Sequence, residues 1–131
     1  MNRNETLEDY VARLNIEGSR DIWEKNIEKI DYVLNKTSDL LKPEFHVAEV
    51  GLGNGYLLSR LINMVNNVTG MDISSYLTEK LSKTIKSVNY ICGDITKLDL
   101  TADTYNVFYC LDILEHIEDL DKGLLNIKKL L

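Results

Sequence analysis

Cysteine, positive charge and long apolar runs are all scarce in this chain, and each shortage removes a class of protein. Only Cys92 and Cys110 carry thiols among 131 residues. They stand in no metal-ligand spacing and form no redox pair in sequence, so neither a zinc module nor a thiol–disulfide enzyme is indicated. Lysine and arginine number 15 against 21 acidic residues, a formal charge of −6. No clustered basic stretch offsets this, which argues against a general nucleic-acid binder, whose surface must neutralise phosphates. No run of about 18 apolar residues occurs, and residues 1–9 are polar and acidic rather than a basic, apolar leader. The expected protein is cytoplasmic, with no membrane partner. The sequons at Asn35 and Asn67 are uninformative without a secretion signal.

What is present describes an ordinary folded domain: 44% hydrophobic and 27% charged residues over 131 positions, enough for one domain with a real core. The chain is organised around residues 46–58, HVAEVGLGNGYLL. A short apolar run there leads into an acid, three alternate glycines, and apolar residues at helical spacing, the pattern of strand, tight turn and helix start. Gly51, Gly53 and Gly55 remove side chains where the backbone turns sharply and where a ligand would touch main-chain atoms, as nucleotide-like cofactors do. Spacing discriminates among such cofactors. A dinucleotide turn, G-x-G-x-x-G, would need glycine where Tyr56 stands. A phosphate loop would end in Gly-Lys-Ser or Gly-Lys-Thr, which does not occur. The remaining pattern is E-x-G-x-G-x-G, beginning at Glu49.

This pattern resembles the first motif of the class I S-adenosylmethionine-dependent methyltransferases, in particular their small-molecule, type 11-like branch. A carboxylate near the turn suits a cofactor carrying a sulfonium and an ammonium, and would repel a pyrophosphate. The resemblance implies an α/β fold: a Rossmann-like open parallel sheet with flanking helices. It implies S-adenosyl-L-methionine as cofactor, with S-adenosyl-L-homocysteine as product, and a small-molecule acceptor. The first turn, Glu49, Gly51, Leu52, Gly53, Asn54 and Gly55, would then hold the cofactor.

The remaining segments fall in step. Residues 1–42 read as N-terminal helices packing on the sheet, and residues 43–131 as the cofactor-binding domain. Leu7, Tyr10, Val11 and Leu14 keep a helical period until Gly18 breaks it. A longer helix is expected over residues 19–41, with Trp23, Ile27, Ile30, Val33 and Leu34 as its apolar stripe and Pro43 beyond its end. In the resembling family such helices often help to cover the active site; Trp23 reads as core first. Strands are expected at 46–50, 68–72, 88–92 and 105–110, and helices at 56–64, 75–85 and 119–131.

Asp72 ends the second strand, where an open parallel sheet binds ligands. By resemblance it accepts bonds from the ribose hydroxyls, with Ile73 beside it. The competing role is a helix cap, which Ser74 or Ser75 could fill instead. Gly93, Asp94 and Ile95 follow the third strand; there the family places an acid for the adenine amine and an apolar residue for its ring, although a plain Gly-Asp turn is the alternative. In the family's sheet order the two cysteines end strands three positions apart, roughly 14 Å, too far for a disulfide. Both are expected to be buried thiols.

The segment after the fourth strand, LDILEH over residues 111–116, resembles the family's helix opening beneath the methionine end of the cofactor. Cys110 and Leu111 would line the methyl-donor side. On a helix, Asp112 would share a face with Glu115 and His116. The D-x-x-E-H string is also similar to the metal site of small-RNA 3′-end 2′-O-methyltransferases. That site needs a second, later histidine, and the only other one here is His46, so no metal is assigned. His116 is the candidate base for an acceptor proton. The resemblance covers residues 41–131, the front half of a domain whose strand order is 3-2-1-4-5-7-6, so the sheet is expected to stop at order 3-2-1-4. Two functions follow: methyl transfer, or a catalytically silent binding module needing a partner chain. The exposed fourth-strand edge is expected to recruit a second copy or a partner.

Overall fold

The computed structural model describes residues 20–131, with side chains from residue 24 onward. The helix expected over residues 6–14 and the side chain of Trp23 lie outside the described residues. Four strands, β1 (His46–Val50), β2 (Asn67–Asp72), β3 (Val88–Cys92) and β4 (Val107–Tyr109), form one parallel sheet in the order β3-β2-β1-β4. Four helices flank it: α1 (Arg20–Thr37), α2 (Tyr56–Leu61), α3 (Ser75–Thr84) and α4 (Leu120–Leu130). The fold class and the expected strand order both hold. Among the described residues no helix is long and apolar enough to cross a membrane.

β1 is the axis because both its faces are covered, as parallel strands between helices require. Side chains alternate across a strand. Val47 and Glu49 face the layer containing Leu34 of α1, Leu57, Leu58 and Leu61 of α2, and Leu81 of α3. Ala48 and Val50 face Ile127 and Leu130 of α4, together with Tyr105. Full burial of such a side chain contributes about 1.5–3 kcal/mol.

The helix boundaries differ from the expected ones for local reasons. α1 stops at Thr37, whose hydroxyl bonds the Val33 carbonyl at 2.9 Å and the Tyr109 hydroxyl at 2.7 Å, and a 3₁₀ turn at Ser38–Leu40 follows. Those two bonds tie the helix end to β4. α1 is further held on α2 by Asp31, which accepts from the Tyr56 hydroxyl at 2.9 Å and pairs with Arg60. α2 ends at Leu61 because the Met64 and Val65 amides both return to its carbonyl, tightening the chain into a turn. Only residues 107–109 of the expected fourth strand pair with β1. The preceding amides of Asp103, Thr104 and Tyr105 close the last carbonyls of α4 at Lys129 and Leu130 instead.

The thiols also depart from expectation. β3 is an edge strand, and Cys92 at its end is exposed rather than buried; Cys110, beyond β4 on the inner side of the sheet, is half-buried. Burial, with a smaller contribution from Glu49, pushes the Cys110 thiol up to about 11.

Replacing Leu58, which is fully buried, tests the packing against α2. Leu58→Ala is expected to lower unfolding free energy by about 2–5 kcal/mol. Leu125→Ala, on the outer face of α4, is expected to change it by under about 0.5 kcal/mol; urea titrations of both variants measure the contrast.

Candidate cofactor-binding site

The turn joining β1 to α2 carries its three glycines at φ +80° (Gly51), +51° (Gly53) and +80° (Gly55), a region costly for side chains. Their surroundings differ. A Cβ on Gly55 would lie 2.7 Å from the side chains of Leu81 and Ile85, so this glycine allows α3 to pack under the turn. A Cβ on Gly51 would meet Ile113 at 2.9 Å, whereas among the described residues Gly53 has nothing within 4 Å of that position. Gly53 is therefore the open point of the turn. Asn54 holds the start of α2 by accepting from the Tyr56 amide at 2.9 Å. Leu52 is buried, and its side chain fills the space left by Gly70 on β2.

Asp72 fastens the turn to β2. One carboxylate oxygen accepts from the Leu52 amide at 2.8 Å and the other from the Ser74 amide at 2.9 Å. Capping of α3 falls to Ser74, whose hydroxyl accepts from the Leu77 amide at 3.1 Å, so the competing role for Asp72 is taken by its neighbour. Next to it Ile73 stands 51% exposed, a large apolar side chain at the rim of the crevice.

Glu49 lies deeper, 4% exposed in the middle of β1. Its carboxyl accepts from the Leu58 amide, in the first turn of α2, where the N-cap Gly55 offers no side chain. The other oxygen, Oε2, is buried without a hydrogen-bond partner. Burial first, then the charge of Asp72, push this carboxyl well above the usual range, against the Leu58 bond.

At the end of β3 the Gly93 amide donates to the Asp72 carbonyl at 2.9 Å. Asp94 Oδ1 accepts from the amide and hydroxyl of Thr96, at 2.9 and 2.8 Å, and Oδ2 faces Lys97 at 3.4 Å. Burial alone would raise this carboxyl; the Thr96 bonds and Lys97 outweigh it and hold it below its ordinary value. Ile95 is buried in the layer with Ala48, Val50, Met71 and Ile127. Asp94 thus forms a local turn, as the alternative reading allowed, with Oδ2 directed at a surface lysine.

After β4, Leu111 packs against the core layer of α1 and α2. Asp112 has φ +54° and lies before the 3₁₀ turn Leu114–His116. The helical face expected to unite Asp112, Glu115 and His116 therefore does not form. Asp112 instead pairs with Lys29 of α1, and the next residue, Ile113, is laid over Gly51. Neither Lys29 nor Ile113 was singled out by sequence pattern. The contact of Lys29 spans over eighty residues and leaves no local signal, and Ile113 looks like any apolar residue of its string. His116 is 71% exposed and 4.0 Å from Glu115. Among the described residues no group of three or more His, Cys, Asp or Glu is placed to hold a metal ion. His46 sits at the amino end of β1, bonded to the Thr69 hydroxyl at 2.9 Å and stacked on Tyr105 at 4.5 Å. A groove of about 280 Å³ at this same end, lined by His46, Asn66, Asn67, Val68, Ser87 and Asn89, is remote from the glycine turn.

An open parallel sheet with a glycine turn after its first strand, and an acid at the end of the second, defines a nucleotide-cofactor-binding protein of Rossmann-like class. The profile of the family described as "Methyltransferase domain" matches residues 48–131, and the chain belongs to that family. It is 33% identical over 108 residues to a ubiquinone biosynthesis O-methyltransferase from Rickettsia bellii, an alignment covering 79% of this chain and 42% of the relative. The chain thus spans about two-fifths of the curated relatives' length. The fold is similar to that of a putative S-adenosyl-L-methionine-dependent methyltransferase from Methanococcus maripaludis, with TM-score 0.75 and 14% identity over 100% of this chain and 63% of that one. It is also similar to the YcgJ protein of Bacillus subtilis, with TM-score 0.70 and 19% identity over 79% and 46% of the two chains.

Two outcomes follow from the geometry. Gly53→Ala is expected to cost about 1–2 kcal/mol of stability from backbone strain alone, and Gly55→Ala a further 1–3 kcal/mol, roughly, from the clash with Leu81 and Ile85; thermal or urea unfolding reads the difference. Because the Asp94 carboxyl is held below its ordinary value of 3.8, its bonds stabilise the fold above that value and are lost as pH falls through the folded-state one. The gap in urea midpoint between the protein and Asp94→Asn is expected to close as pH is lowered from 6 toward about 3.

Proposed function

We propose that the crevice at the carboxyl ends of β1 and β2 binds S-adenosylmethionine and serves methyl transfer to an oxygen on a small molecule. The observation that carries this reading is the combination at the turn. Backbone open at Gly53 is bracketed by the Asp72 carboxylate and the partnerless, buried Oε2 of Glu49. Such an anionic setting fits a ligand bearing a sulfonium and an ammonium and disfavours a pyrophosphate. The Asp72 carboxylate, at the carboxyl end of β2, is the group of the right chemistry to accept from the two ribose hydroxyls, and exposed Ile73 offers an apolar flank for the nucleoside. Asp94 would meet the adenine amine through Oδ2, displacing Lys97, while Gly93 and buried Ile95 shape the wall behind it. The Gly51, Leu52 and Gly55 amides are engaged by Met71, Asp72 and Leu52, so the Gly53 and Asn54 amides are the ones that would meet the amino-acid tail, and Cys110 and Leu111 would border the methyl-donor side.

The cofactor, when bound, supplies an electrophilic methyl group. The residues of this chain hold and orient it and keep water from it. No protein nucleophile is needed. His116, exposed beside Glu115, is the group able to take a proton from the acceptor. The name of the Rickettsia bellii relative, an O-methyltransferase of ubiquinone biosynthesis, favours an oxygen acceptor. Residues 20–42 act as a helical cover on the sheet of residues 43–131, in a cytoplasmic protein; residues 1–19 of that expected unit lie outside the described ones.

A second reading, a silent cofactor-binding subunit, is favoured by the sheet edge. β4 pairs only with β1, and Leu120, Leu124 and Leu131 of the neighbouring helix end are exposed. Such an edge and stripe suit a second copy or a partner chain. A solution mass above 15.0 kDa is the expected result, and a stable monomer would remove this contact.

Calorimetry with S-adenosylhomocysteine tests the site itself. Asp72→Asn is expected to weaken binding by about 10- to 100-fold, equivalent to about 1.5–3 kcal/mol. No binding by the unaltered chain would overturn the cofactor reading. Transfer of a labelled methyl group to an extract separates the two readings, since the silent subunit binds and transfers nothing.

A further inference from the structure

Glu49 presents a problem that cofactor binding by contact does not resolve. Its side chain is sealed between β1 and α2, 4% exposed, and the unpartnered Oε2 is out of reach of solvent. A ligand on the glycine turn therefore feels Glu49 through the electrostatic field rather than by touching it. The groups coupled to it are Asp72 from β2, Tyr90 from β3 and Cys110 after β4, and none is a cation. Over the same face α1 contributes Ile30, Val33 and Leu34, α3 contributes Leu81, and α2 a single polar group, the Leu58 amide. Among the described residues, an ionised carboxylate in this setting has one hydrogen bond, no counter-charge and a second carboxylate at Asp72. That form is costly unless a positive charge arrives.

We propose that Glu49 is a proton reservoir for the crevice: neutral while no cation lies on the glycine turn, and ionised, with release of its proton, when a cationic ligand settles there. The proposal rests on the cofactor reading above and adds to it a regulation of the same site. The sign follows from linkage. A ligand whose binding releases a proton binds more tightly as pH rises, by up to tenfold per pH unit between the bound-state and free-state values of the group. Above the free-state value the dependence flattens. Glu49 is thus a positioning and tuning residue rather than a catalytic one, since it touches neither ligand nor reacting atoms. Its bond to the Leu58 amide serves as the cap of α2 in either protonation state.

The test is calorimetric titration of the chain with S-adenosylmethionine, which carries the sulfonium, near pH 7 in phosphate and in Tris, whose ionisation enthalpies differ. Proton release appears as a buffer-dependent heat. A net proton release, abolished in Glu49→Gln while affinity becomes nearly pH-independent, is the expected result. Binding without buffer-dependent heat, or with the same release in Glu49→Gln, overturns the proposal and leaves the cofactor reading standing. Absence of any binding removes both. Should Glu49→Gln fail to fold, carboxyl carbon NMR of the unaltered chain decides. A Glu49 titration midpoint well above the ordinary 4.5 that falls when S-adenosylmethionine is added supports the reservoir, and an unshifted midpoint overturns it.

Discussion

The hydrogen bond from the Leu52 amide to the Asp72 carboxylate, 2.8 Å long, joins the two halves of the candidate site. Without it the glycine turn would be held at its ends only, by the Gly51 amide on the Met71 carbonyl and by the packing of Gly55 on α3. With it, a side chain at the tip of β2 sets the path of the loop leaving β1. The same carboxylate receives the Ser74 amide and so orients the entry to α3. Strand, turn and following helix therefore meet on one anionic group. A binding residue that also supports the local backbone is rigid before any ligand arrives, which lowers the ordering cost of binding.

A second constraint is the burial of charge. Two carboxyl groups, Glu49 and Asp72, share the first crossover. Asp72 accepts from the Leu52 and Ser74 amides, while burial and the charge of Asp72 push the Glu49 carboxyl well above its usual range. The cations of the region stand further out. Lys29 pairs with Asp112, and Lys97 faces Asp94. Lys29 is consequential for shape, because its partner Asp112 adopts a positive φ and the following Ile113 is laid on Gly51. α1 thus contacts the loop after β4 through an exposed ion pair, an interaction that is weak in energy and therefore easily exchanged.

Much of the framework was legible along the chain. The three alternate glycines, the strand positions, the acid at the end of β2 and the serine cap of α3 are local patterns, and each describes what a backbone of that sequence does over a few residues. The elements read too long, namely α1, α2 and β4, were shortened by partners distant in sequence: Tyr109 for Thr37, and the end of α4 for residues 103–105. The helical face imagined for Asp112, Glu115 and His116 failed for a related reason. Spacing defines a face only if the residues are helical, and the pull of Lys29 and the seat on Gly51 hold this segment in another conformation.

The amino-acid sequence by itself determined the class of fold and the place of the crevice, since periodicity, turn chemistry and glycine spacing are properties of neighbouring residues. Only the tertiary structure decided the duties of the residues within it. The depth of Glu49, the double engagement of Asp72, the inward turn of Ile95 and the exposure of Ile73 depend on what lies across the sheet, and on hydration lost when distant segments pack together.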